Sequence, residues 1–99
     1  MPIGAFINVF PPAVFLLVHL VAFLIGAYFA YRSFGAGLGT FGWAFTLYAV
    51  AEIVYMTYHL DVTVFLFAHT ISEVLDLLAF VLVFVAGVQR ALAGRPAAA

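Results

Sequence analysis

The chain has 99 residues, 69% hydrophobic and only 7% charged, and its mean hydropathy is +1.30. A soluble domain carries roughly 45–50% apolar and roughly 25% charged residues, so the composition predicts an integral membrane protein surrounded by membrane lipids. Cysteine is absent and the net charge is −1, which excludes disulfides, thiolate metal sites and thiol nucleophiles, and leaves no basic patch for nucleic acid.

Residues 1–11 form an apolar segment suited to the membrane interface. Met1 to Tyr31 contains no Lys or Arg, so the positive start of a cleaved signal peptide is missing and the segment is expected to be retained. Pro11-Pro12 stops what precedes it and suits the first turn of a helix, where the missing N–H has no partner to lose. The first helix is predicted over about 12–32. A Gly-rich link follows, with Thr40 as expected N-cap of a second helix over about 40–60. The next link is so short that the second and third helices must form an antiparallel hairpin, with Asp61 as N-cap of a third helix over about 62–89. Each run is long enough to cross a hydrocarbon core of about 30 Å at 1.5 Å per residue, and none shows the alternation of a membrane barrel strand.

The predicted fold class is therefore an all-α, three-transmembrane-helix bundle occupying 12–90, followed by a short solvated tail over 91–99. Arg32, Arg90 and Arg95 fall at one end of these helices, which predicts that end to be cytoplasmic and the N-terminus and Asp61 to lie outside. Trp43, Tyr31 and Tyr58 near helix ends read as interfacial anchors, and Met56 as packing. A bacterial or archaeal cell membrane is the expected location.

The informative residues are those that should be costly in lipid: Glu52, Glu73, Asp76, His19 and His69, with His59 near the outer end of the second helix. An ionised carboxylate near a helix centre costs roughly 2.5–3.5 kcal/mol on the lenient scale, so each needs a partner, a proton, a water path or an ion. At 100° per residue His69, Glu73 and Asp76 share one face of the third helix. Tyr48, Glu52, Tyr55 and His59 form a stripe on the second, with Phe41 and Phe45 continuing it inward. On the first, Phe15, His19, Gly26, Ala30 and Ser33 fall on one line. Counting depth from the outer ends brings His19, Glu52 and His69 to one level, about 10–12 Å down. Tyr48 and Glu73 follow a turn deeper and Asp76 lies near mid-membrane, whereas Phe41, Phe80, Val83 and Gly87 make the inner half dry.

Four readings follow. His19, Glu52, His69 and Glu73 could ligate Zn, Fe, Mn or Cu. His19 and His69 could sandwich a b-type haem. Tyr48, Glu73, Asp76, His59 and Asp61 could form a proton path open to the outside, or a quinone pocket lined by Tyr48 and Tyr55. The bland alternative makes the same groups helix glue, with Glu52 paired to His69, Tyr48 to Glu73 and His19 to a carbonyl. The leading expectation is a metal or haem site serving electron or proton transfer; the alternative is a structural or assembly subunit. No nucleophile with its base is visible, so catalysis is expected only as part of a larger membrane redox enzyme. A homo-oligomer or a subunit of a larger complex is expected, because three helices bury little surface.

Overall fold

The computed structural model describes residues 2–94. Among these the chain is all helical and without strands: a 3₁₀ turn at Ala5–Val9, then α1 at Pro12–Gly35, α2 at Gly39–His59 and α3 at Phe65–Ala93. By length and composition α1 and α3 are long and apolar enough to cross a membrane. Residues 95–99, and with them Arg95 and most of the expected tail, lie outside the described residues. Ala91 to Ala93, assigned to the tail from sequence, instead continue α3.

Local chemistry explains the helix ends. Pro12 opens α1 after an extended Pro11, as its missing N–H favours. At the other end of α1, Leu38 N–H donates to Ser33 O (2.8 Å) and Gly37 N–H to Phe34 O (3.1 Å), with Gly37 at φ 76°. That pair of bonds around a left-handed residue is a Schellman cap. The end of α2 repeats it: Val62 N–H donates to Thr57 O (2.9 Å) and Asp61 N–H to Tyr58 O (3.0 Å), with Asp61 at φ 61°. Asp61 is thus the left-handed C-terminal cap residue of α2 and not the N-cap of α3. The cap consumes residues 60–62, and α3 starts three residues later than expected, after an extended Val64 with no side-chain cap. Thr40 is corrected as well. It sits inside the first turn of α2, whose N-cap is Leu38, and its hydroxyl donates to Gln89 Oε1 on α3 (2.9 Å).

The packing is carried by the smallest side chains. The buried residues are Gly26, Ala30 and Ser33 on α1, Gly42, Ala44, Ala49, Ala51 and Glu52 on α2, and Ala68, Ser72, Ala79 and Ala86 on α3. Small residues let helix backbones approach closely, the usual basis of helix association where lipid removes the hydrophobic drive. On α2 they fall along two lines: Gly42 and Ala49 lie about 60–80° to one side of Glu52, and Ala44 and Ala51 about 80–100° to the other. The first line meets α1, where a Cβ on Gly26 would come within 3.4 Å of Ala49 Cβ. The second meets α3, where the fully buried Ser72 donates to Ala51 O (3.0 Å).

Two seams on opposite flanks make α2 a middle helix. It packs against both neighbours, while the backbones of α1 and α3 make no contact with each other. The three helices therefore pack as a curved layer, and the polar line of α2 runs along its concave side between the seams. The far side of α2, with Trp43, Val50 and Ile53, is exposed and apolar, as are the outer faces of α1 and α3, where Leu17 is 61% and Leu77 62% exposed.

Candidate functional site

The centre of the concave side is a pair. His19 on α1 and Glu52 on α2 share a hydrogen bond of 2.5 Å between Nδ1 and Oε2, and Glu52 is buried. Each side chain arrives there because it lies on its helix's inward line: His19 sits about 20° from Gly26 around α1, and Glu52 between the two seams of α2. Where the imidazole Nε2 also carries a proton, one proton held between Nδ1 and Oε2 gives either an ion pair or two neutral groups. Either form has no net charge, which lowers the cost of placing both among apolar helices. The depth count put these two residues at one level together with His69; the helix-glue reading paired Glu52 with His69 instead.

Rings extend this pair towards the α2–α3 link. His19 stacks on Tyr55 (centroids 4.9 Å) and on His59 (5.4 Å), and His59 stacks in turn on Phe15 (5.2 Å). Tyr55 then crosses to α3, where its hydroxyl donates to Glu73 Oε1 (3.0 Å). The sequence-predicted residues His59, His19, Glu52, Tyr55 and Glu73 accordingly form one continuous cluster. The hydrogen-bonding partners differ from those expected of helix glue: Tyr55 takes the place proposed for Tyr48, and Glu52 that of a carbonyl for His19.

His69 stands apart. It is exposed and stacks on Phe65 of its own helix (5.2 Å). The reason is angular. The seam of α3 is centred on Ala68, Ser72, Ala79 and Ala86, and His69, Asp76 and Glu73 lie about 65–125° around the helix from it. The polar line of α3 flanks the contact instead of occupying it, so Glu73 needs the long arm of Tyr55 to reach α2. Among the described residues no group of three or more His, Asp or Glu stands in a position to hold a metal ion. His19, Glu52, His69 and Glu73 are thus not gathered as one ligand set.

Below the cluster the layer opens into a cleft of about 480 Å³ between α1 and α3, with α2 as its floor. Tyr48 and Asp76 are the polar side chains on its wall; Phe29, Phe45, Phe80 and Val83 supply much of the rest. Tyr48 lies flat against α1, where a Cβ on Gly26 would stand 2.8 Å from its Cδ1. Asp76 Oδ1 is buried and has no hydrogen-bond partner among the described residues. Farther down, the facing residues are apolar until the Thr40–Gln89 hydrogen bond at the opposite end of the layer.

Sequence reasoning missed Ser72, Gln89 and the Thr57–Thr63 hydroxyl pair (2.9 Å). Ser72 was legible, since it shares a line with Ala68, Ala79 and Ala86 and is the one polar residue on it. No family model, curated protein or solved structure matches the chain.

Proposed function

We propose that the chain is an integral membrane protein whose three helices all cross the bilayer, with the N-terminus outside and the C-terminus cytoplasmic, and that it serves as a proton-transfer component of a larger membrane assembly. The apolar outer faces of all three helices support insertion, because exposed rings and aliphatic chains on this scale suit lipid and not water. The position of Arg32 and Arg90 at the same end of the layer supports the orientation. α2, the least apolar helix, crosses with α1 and α3 on its flanks.

The observation that carries the proton role is the His19–Glu52 hydrogen bond, joined through His59 to the outer end of the layer. A histidine and a carboxylate sharing a proton inside a membrane are the material of proton relays. The relay starts at His59 and Asp61, reaches His19 and Glu52 through water beside the stacked rings, which share no hydrogen bond of their own, and stops about a third of the way through the membrane, above the apolar inner half. It is a proton well open to the outside, one that delivers a proton to something held at mid-depth, and not a channel.

Nitrogen-15 histidine spectra of the protein in sealed liposomes test this. The His19 resonances should follow the pH of the outer compartment while the inner pH is clamped, and Glu52→Gln should change their tautomer pattern. His19 resonances that follow the inner pH, or none that respond to either compartment, would refute the well.

A further inference from the structure

We propose that the cleft between α1 and α3 binds the ring of a lipid-soluble quinone or quinol, with Asp76 and Tyr48 as the polar contacts for its oxygens. This deepens the proton-well reading by naming what lies at the bottom of the well, and it rests on the membrane placement made there, since such a ligand must arrive from the hydrocarbon.

Size comes first. A volume of about 480 Å³ lies within the roughly 300–1,000 Å³ typical of small-molecule sites, which are mostly apolar with a few placed polar groups. The cleft reaches from Asp76 to Val83 on α3, about 10 Å along the helix axis. That suits a ring and is too short to seat a helix along the layer. The rim supplies the route of access: Ile25, Phe29, Phe80 and Val83 are all exposed and apolar, so the mouth faces the side on which lipid chains lie. Phe29 and Phe45 meet at 5.5 Å, a pair of ring faces against which a flat ligand can pack.

Polarity then selects the ligand. A buried polar atom without a partner is costly, so Asp76 Oδ1 is an unusual thing to place on an apolar wall. A carboxyl group donates to a carbonyl when protonated and accepts from a hydroxyl when ionised. Tyr48, on the α2 floor of the same cleft, offers a hydroxyl that does both. The pair therefore accommodates the oxidised and the reduced form of a ring whose oxygens exchange protons, whereas a plain hydrocarbon leaves both groups unpaired. Asp76 also lies within electrostatic reach of Glu52 and Glu73, which places the cleft next to the relay.

The probe is decylubiquinone, mixed with the full chain in detergent, passed through gel filtration and quantified by solvent extraction; decylbenzene is the oxygen-free control. Stoichiometric retention of the quinone and not of decylbenzene is expected. Asp76→Leu, which has a similar shape and neither donor nor acceptor, should weaken retention about tenfold, the worth of one hydrogen bond to a buried carboxyl, with helix content unchanged by circular dichroism. Val83→Trp, at an exposed position on the cleft rim, should block the cleft by filling it, and Phe84→Leu, on an exposed outer face away from the cleft, should leave retention as in wild type. Retention no greater than that of empty micelles overturns the proposal, as does equal retention by wild type, Asp76→Leu and Val83→Trp. A dimer by light scattering that excludes the probe overturns it in favour of a second copy covering the cleft. The histidine spectra need no quinone, so the proton well and the quinone site fail separately.

Discussion

Asp61 and Gly37 hold equivalent positions, each one residue past a helix C-cap and each with a left-handed backbone. For an L-residue that region costs roughly 1–2 kcal/mol, least for Asp and Asn. Asp61→Asn should therefore be neutral in an SDS unfolding titration and Asp61→Gly slightly stabilising, while Asp61→Val should lose roughly 1–2 kcal/mol. No loss in Asp61→Val would mean that the left-handed cap is not what ends α2. The Asp61 case also shows where the sequence was hard to read. An aspartate between two apolar runs fits a helix start as well as a helix end, and only the backbone bonds of Val62 and Asp61 to Thr57 and Tyr58 decide between them. Glu52 and His19 were legible as unusual residues at matched depth. Their pairing was not, because depth along two helices says nothing of which third helix is rotated away.

At the scale of elements, the lesson concerns what makes a helix face. All three helices and the antiparallel links could be read from hydropathy and from Pro11-Pro12, Gly35 to Gly39 and Leu60-Asp61. The polar stripe of α3 is not its contact face; the contact is the line Ala68, Ser72, Ala79, Ala86. Small residues, not polar ones, mark where backbones meet. The same principle gives a test at the α1–α2 seam. A Cβ on Gly26 would stand 2.8 Å from the Tyr48 ring, so Gly26→Val should loosen α1 from α2 and lose roughly 1–3 kcal/mol from overpacking. Adding Tyr48→Ala should recover part of that loss, a non-additivity measurable by a double-mutant cycle in detergent. Strict additivity would show that the two residues do not meet. Ser72, whose hydroxyl answers the Ala51 carbonyl across the second seam, should cost about 1 kcal/mol as Ser72→Ala.

For the whole molecule, the layer has a direction that can be measured directly, because the chain contains no cysteine. Single cysteines at Val62 and Ala91, both exposed and at opposite ends of α3, should react differently with a membrane-impermeant maleimide in intact cells. Val62→Cys should label at once and Ala91→Cys only after permeabilisation. The reverse pattern would invert the orientation, and equal labelling would argue against insertion. The arrangement also reaches into how the protein is made. α2 is the middle element in the chain and the middle element in space, the one with seams on both flanks and the Glu52 side chain between them. A ribosome finishes α2 while α3 is still unwritten, so for a time its second flank, with Ala44 and Ala51, has nothing to lie against. In a membrane, the least oily helix must then wait beside α1 at the insertion machinery until α3 emerges, and the order of synthesis becomes part of the assembly of the layer.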